Sequence, residues 1–339
     1  MITAEAARLD VDEPLSPVDR LAGLVADDIA VADRLIHERM GSSVALIPDL
    51  ARHLVDSGGK RLRPLLTLAA ARLCGYQGSA HVKLAAAVEF IHTATLLHDD
   101  VVDASSLRRG KLAANIVWGN KPSILVGDFL FSRAFQLMVE TGSMVVLDIL
   151  AGASAIIAEG EVMQLKADSN LATTEADYLR IIAAKTAALF SASAEAGAAL
   201  AQSSPEIVAA LRDYGSNLGI AFQLVDDALD YSGREKQMGK TVGDDFREAK
   251  VTLPVILAYQ RADEEARRFW HRAIESGPQH DGDLRWAITY VEETGAIRET
   301  RARARRYADQ ASRSLAILPK SELREALEAI AEFCVGRGY

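Results

Sequence analysis

Three aspartates at the end of an apolar helix constrain this chain more than any other feature. From Val82 to His98 the residues are mostly small, apolar and helix-favouring. The run closes on Asp99, Asp100 and Asp103 inside EFIHTATLLHDDVVDASSLRRGKLAANIVWGN, Glu89 to Asn120. Helical spacing puts Asp99 and Asp103 on one face with Asp100 beside them. Uncompensated carboxylates are costly on such a helix, and the macrodipole at its C-terminus opposes them further. Positive charge must therefore be supplied from outside the helix.

A second copy of the pattern, Asp226, Asp227 and Asp230 in FQLVDDALDYSG, closes another apolar helical run 127 residues later. Two DDxxD clusters at the ends of two helices can face each other across a bundle. Carboxylates and water as the only ligands suggest Mg²⁺, which keeps several waters and bridges protein carboxylates to substrate phosphates. Diphosphate chemistry is the expectation.

Composition agrees with this and narrows it. The 339 residues are 49% hydrophobic, Ala and Leu dominating, and only 6% aromatic, which favours a helical core. A net charge of −9 argues against a nucleic-acid partner. Cys74 and Cys334 give neither a disulfide framework nor a zinc spacing and read as inert small hydrophobes, so a cytoplasmic setting is expected. No apolar run is long enough to span a membrane. Residues 1–17 read as a loose acidic leader, and 18–339 as one helical domain.

Along that domain, Val18 to Leu54 offers two helical segments broken near Gly41 and Pro48. GGKRLRP, Gly58 to Pro64, then clusters Lys60, Arg61 and Arg63 at a helix start, where backbone N–H groups already favour an anion. After the first acid cluster, SSLRRGKLAANIVWGNKPS reads as a long loop in which Arg108 and Arg109 can reach a metal-held phosphate. A helix from Lys121 follows, then helical segments at 143–167, 175–201, 204–231, 251–262, 264–275, 283–294, 297–315 and 321–334, with no strand pattern. Lys185 and Thr186 interrupt an apolar Ala-rich stretch, and a lysine there is rare without an anion. Gln223 precedes Asp226 and Asp227 by one turn, and the polar stretch Gly239 to Lys250, with Lys240, Asp244 and Asp245, can cover the second cluster.

In order, GGKRLRP, HDDVVDASSLRRG, KT, FQLVDDALD and GKTVGDD resemble the trans-isoprenyl diphosphate synthases, or polyprenyl synthetases, over roughly residues 20 to 335. The resemblance implies an all-α, single-domain antiparallel helical bundle around a deep central cavity, usually a homodimer. It implies that Asp99, Asp100 and Asp103, with Asp226, Asp227 and Asp230 and chiefly Asp226 of these, bind two to three Mg²⁺ ions holding an allylic diphosphate. Arg108, Lys185 and Lys240 would contact that diphosphate, with Lys250 nearby. Lys60, Arg63, His92 and Arg109 would bind isopentenyl diphosphate, and Thr186 and Gln223 would lie against the reacting carbons. Ionisation of the allylic diphosphate, attack by the isopentenyl double bond and proton loss would lengthen the chain by five carbons.

Product length is read from the positions four to five residues before Asp99, which return to nearly the same face. These are Ala94 and Thr95, both small, whereas bulky aromatics there stop growth at C15 or C20 in that family. An open tunnel is expected, floored by Phe135 and Met138, with a C40 to C50 product of quinone side-chain length. Contact of so apolar a product with a membrane would be peripheral at most.

A shorter-chain (C15 to C20) synthase and a non-catalytic subunit of a heteromeric prenyl synthase stay as alternatives, and the rivals are weighed on sequence grounds. A di-iron bundle would use Glu89 and His92 as an ExxH pair but needs a second ExxH, and none of the seven histidines supplies it. A non-catalytic prenyl synthase subunit typically loses aspartates, and both clusters are complete. A terpene cyclase would not need GGKRLRP or His92 for a second diphosphate. Among the remaining polar groups, His98 reads as packing, since Mg²⁺ prefers oxygen. Asp128 reads as polar packing, Glu161 and Gln164 as cavity-lining or pairing between helices, and Arg337 as part of a frayed tail.

Overall fold

Ser16 begins the helical region: its hydroxyl accepts the Asp19 N–H at 3.2 Å, and Pro17 fills the first turn, where a missing N–H costs nothing. The computed structural model describes residues 15–232 and 242–336. Before the first acid cluster the chain forms α1 (Pro17–Leu24), α2 (Ala26–Arg39), α3 (Leu46–Val55), α4 (Leu62–Leu73) and α5 (Ala80–Val102). Val18 to Leu54 thus holds three helices rather than two. Val25 leaves the helical region at φ −126°, and Pro48 breaks nothing because it sits in the first turn of α3.

α5 buries residues on nearly every side and ends where Asp103 donates its N–H to the Asp99 carbonyl at 2.8 Å. The segment beyond it is more ordered than the expected loop. β1 (Leu107–Arg108) pairs antiparallel with β2 (Lys111–Leu112) around Arg109 and Gly110, whose φ values of 52° and 75° are those of a tight hairpin turn. α6 (Ala114–Trp118) follows, and the Asn115 amide donates to the carbonyls of Asp100 at 2.9 Å and Ser105 at 3.1 Å, tying the hairpin to α5.

Long apolar helices then build the body: α7 (Asn120–Glu140), α8 (Met144–Ala167), α9 (Glu175–Ile182), a π-helical turn at Ala183–Ala187, α10 (Ala188–Leu200) and α11 (Pro205–Asp230). Thr174 and Asp177 form a reciprocal capping box at the start of α9. The C-terminal part comprises α12 (Asp244–Arg247), α13 (Leu253–Gln260), α14 (Glu264–Trp270) running into a second π turn at His271–Ser276, α15 (Asp283–Glu293), α16 (Ala296–Ser314) and α17 (Glu322–Gly336). α5 packs along α7, and α11 along both α10 and α16. The architecture is all-α and a single helical domain, the hairpin being the one sheet among the described residues.

The first π turn is held by two close approaches. A Cβ on Gly160 of α8 would meet the Lys185 nitrogen at 2.7 Å, and one on Gly219 of α11 would meet Ala187 Cα at 2.6 Å. Glycine at both positions lets α8 and α11 close on the turn that carries Lys185 and Thr186. Among the described residues no helix is long and apolar enough to cross a membrane.

Candidate active site

The helices enclose a cavity of about 830 Å³. α5 contributes His92, Thr95, Asp99 and Asp103 to its wall, and α11 contributes Gln223, Asp226 and Asp227. Lys60 and Arg63 enter from the start of α4, Arg108 and Arg109 from the hairpin, Lys185 and Thr186 from the π turn, and Lys250 from the segment before α13. Residues spread over nearly 200 positions thus share one space. Lys240 and Arg337 lie outside the described residues.

The acid end is compensated by lysines. Lys250 Nζ sits 2.9 Å from Asp103 Oδ2 and 2.7 Å from Glu248 Oε2. Burial alone would depress the ammonium, but Asp103 and Glu248 outweigh it and hold its pKa above the ordinary lysine value. Lys185 Nζ pairs with Glu161 Oε2 at 2.7 Å, so Glu161 joins α8 to the π turn, whereas Gln164 lines the cavity. The Asp99 carboxyl is pushed up to about 7, first by burial; Lys185 opposes the shift, and Glu161 and Asp103 add to it. A carboxylate held at that cost is stabilised by any cation brought beside it.

Two expected metal positions lie off the cavity wall, and a third lies on it with both oxygens accepting from protein donors. Asp100 is fully buried and off the cavity wall, because one residue past Asp99 the helix has turned by about 100°. It accepts Arg108 Nε at 2.8 Å, so Arg108 lines the cavity while already anchored to a carboxylate. Asp230 is also buried and off the wall; it accepts backbone N–H groups from Gly243, Asp244 and Asp245 at 3.1 to 3.2 Å and so anchors the start of α12. Asp227 lies on the wall, but its Oδ1 accepts Gln223 Nε2 at 2.7 Å and its Oδ2 accepts the Tyr178 hydroxyl. Burial raises its pKa well above the carboxylate range, with Asp245 adding to the shift. Asp99, Asp103 and Asp226, one or two from each cluster, line the cavity. Their donors are hard oxygens brought to one cavity from two helices, the chemistry Mg²⁺ takes. Among the described residues no three acidic side chains form a ready-made metal cage, which fits an ion shared with a substrate phosphate.

The basic end is built around Arg63. Its guanidinium stacks 4.3 Å from the Phe190 ring centroid and lies 3.2 Å from His92 Nε2. Burial pulls Arg63 down to about 10, partly offset by Glu89. Burial, then Arg63 and Arg109, hold His92 well below the ordinary histidine value, so the ring is neutral near pH 7. Lys60 Nζ lies 4.8 Å over the Phe333 ring. Glu89 is ion-paired with Arg61, and His92 faces Arg63 instead of sharing a metal with Glu89. In this arrangement Glu89 and His92 are turned to different arginines.

Sequence reasoning missed Tyr178 and the wall supplied by α17. Tyr178 lies two turns before Lys185 on the same helical face, a spacing that could have marked it. Phe333 and Cys334 also line the cavity; nothing local distinguishes them from ordinary helix packing, and Cys334, read as an inert core residue, is a cavity residue. His98 is a packing residue, 3.1 Å from the Ile124 carbonyl and 3.5 Å from Asp128 Oδ1.

Of the four chain-length positions, Thr95 alone reaches the cavity. Four residues back from Asp99 returns to within about 40° of its direction, but five leaves about 140°. Ala94 is accordingly fully buried in the core shared by α5 and α7. Met138 is buried in that same core, and Phe135 is 41% exposed on a surface groove beside Arg39 and Val139. Neither forms a floor to the cavity seen here.

Comparison with known proteins follows the same outline. A family model described as Polyprenyl synthetase matches residues 44–291. The chain belongs to the polyprenyl synthetase family. Among curated family members, the octaprenyl diphosphate synthase of Escherichia coli (strain K12) is 45% identical over 320 residues, covering 94% of this chain and 99% of that one. Among solved polyprenyl synthetase structures, a polyprenyl synthase from Caulobacter crescentus CB15, complexed with calcium and isoprenyl diphosphate, superposes with a TM-score of 0.93 at 56% identity, covering 96% of this chain and 99% of that one. A decaprenyl diphosphate synthase from Rhodobacter capsulatus gives 0.91 at 57% identity, covering 95% and 99%.

Proposed function

We propose that this protein is a prenyltransferase that condenses isopentenyl diphosphate repeatedly onto an allylic diphosphate, releasing a long all-trans polyprenyl diphosphate of C40 to C50. One observation carries the reading: a single cavity holds an acid end at Asp99, Asp103 and Asp226 and a separate basic end at Lys60, Arg63, His92 and Arg109. Two diphosphates can be held by different means, one through metal and one by direct ion pairs and hydrogen bonds.

Asp99, Asp103 and Asp226 would hold two to three Mg²⁺ ions, which when bound supply Lewis-acid neutralisation of the leaving diphosphate. Lys185 and Lys250, already among carboxylates, would exchange those partners for phosphate oxygens, with Arg108 beside them. Lys240 is assigned to the same diphosphate from its motif. The neutral His92 donates a hydrogen bond to the second diphosphate without adding charge next to Arg63. Thr186 Oγ1 and Gln223 Oε1, 2.8 Å apart, offer oxygen dipoles to the allylic cation. The apolar walls, Phe190 and Phe222 among them, keep water from quenching it.

The long product is supported by the small Thr95 below Asp99 and by the names of the relatives, octaprenyl and decaprenyl diphosphate synthases. A quinone side chain is the matching destination. A homodimer is supported by the large apolar side chains exposed on α7 and α8, including Leu125, Met144, Val145, Val162 and Leu165. We assign the enzyme to the cytoplasm and residues 18–339 to one catalytic domain behind a short acidic leader. Purified protein given Mg²⁺, labelled isopentenyl diphosphate and farnesyl diphosphate should incorporate label into apolar product, and chelation with EDTA should abolish it. Absence of incorporation in the complete mixture would refute the reading.

A further inference from the structure

Four side chains form one hydrogen-bonded line across the cavity wall. Thr186 Oγ1 donates to Gln223 Oε1 at 2.8 Å, Gln223 Nε2 donates to Asp227 Oδ1 at 2.7 Å, and the Tyr178 hydroxyl donates to Asp227 Oδ2. All four lie on the cavity wall, and Tyr178 and Asp227 are 3% exposed. An amide has two faces of opposite polarity, and which one meets the cavity depends on what its partners demand. Asp227 Oδ1 accepts the NH₂ of Gln223 while its Oδ2 accepts the Tyr178 hydroxyl, and this pairing turns the Gln223 Oε1 toward Thr186.

We propose that Asp227 and Tyr178 are positioning residues that orient the Gln223 amide with its oxygen toward the reacting allylic carbons, and that Asp227 is not a metal ligand. The inference rests on the proposed reaction. A developing carbocation is stabilised by the carbonyl oxygen of Gln223 and destabilised by its NH₂, so a reversed amide puts the wrong dipole at the site of charge. Tyr178 takes the second oxygen of Asp227, leaving the carboxylate with a protein donor on each oxygen. Asp226, one residue earlier on α11, lines the same cavity. Adjacent aspartates thereby divide the work: Asp226 serves the metal and Asp227 the amide.

Three single variants and one double separate the roles. Tyr178→Phe removes one hydroxyl and keeps the ring. Asp227→Asn keeps the shape but offers an NH₂ of its own to Gln223, which favours reversal of the amide. Calorimetry with Mg²⁺ and inorganic pyrophosphate reads the metal site without turnover. Asp226→Asn should weaken that binding by at least about tenfold, and Tyr178→Phe and Asp227→Asn should stay within about twofold of the parent. In turnover, the latter two should lose on the order of tenfold to a hundredfold in kcat at unchanged KM for both diphosphates. The double variant should lose little more than Asp227→Asn alone, because both act through one amide. Pyrophosphate binding lost in Asp227→Asn as in Asp226→Asn, or kcat unchanged in Tyr178→Phe, overturns the proposal. A parent protein without turnover overturns the reaction reading instead, and the calorimetry still decides whether Asp227 belongs to the metal set. Should Tyr178→Phe fail to fold, Asp227→Asn carries both readouts.

Discussion

Arg63 shows how one residue can be legible in sequence and still be explained only by packing. Its place at a helix start marked it as an anion binder, but the stacking on Phe190 and the contact with His92 join α4 to residues 127 and 29 positions away. Lysine would keep the charge and lose the planar stacking and the fork of donors. Arg63→Lys should raise KM for isopentenyl diphosphate by roughly tenfold to a hundredfold and leave KM for the allylic substrate within a few-fold; steady-state kinetics with each substrate varied in turn will show it. Equal effects on both would mean that the basic end does not discriminate between the diphosphates. Asp100 and Asp230 carry the opposite lesson. Motif spacing could not separate them from Asp99 and Asp226, because a DDxxD pattern places residues on a helix without saying which wall is lined. Phe333 was missed because what brings it to the cavity is long-range packing.

At the scale of elements, the π turn at Ala183–Ala187 is the feature that helical periodicity hides. The sequence predicts a continuous helix from 175 to 201, and the observed helix covers that span with one wider turn where Lys185 and Thr186 enter the site. Gly160 and Gly219 grip it. Gly219→Ala places a methyl group within 2.6 Å of Ala187 Cα, which forces the helices apart. Overpacking of this kind costs about 1 to 3 kcal/mol, so the denaturation midpoint should fall and kcat with it; parent-like values of both would show that the close approach is dispensable. A second element-level contact gives a pH signature. Asp283 at the start of α15 accepts both terminal nitrogens of Arg272 at 2.7 and 2.8 Å. The Arg272 hydrogen bonds, aided by the His280 N–H, hold its carboxyl at about 2 against an ordinary 3.8. A carboxyl depressed by folding adds stability above its unfolded pKa, and that stability is lost as pH falls through the folded one. The stability gap between the parent and Arg272→Met should therefore be full at neutral pH and close as pH falls from 3.8 toward about 2. A gap that does not change with pH would remove the charge pair from the account.

For the whole molecule, the class of fold and part of the cavity lining could be read from the sequence motifs. The cavity's dimensions could not, because they depend on how α4, α5, α10, α11 and α17 meet. The proposed chain-length positions are the clearest case: Ala94 and Thr95 looked equivalent along the sequence, yet of the two only Thr95 lines the cavity. Thr95→Phe should shorten the product to C15 or C20, whereas Ala94→Phe should instead destabilise the core between α5 and α7. The most direct test of the account is the length distribution of the product. Purified protein is incubated with Mg²⁺, farnesyl diphosphate and excess labelled isopentenyl diphosphate, and the dephosphorylated products are resolved by chain length. A ladder ending at C40 to C50 is the predicted result, and a parent enzyme that stops at C15 or C20 would contradict it.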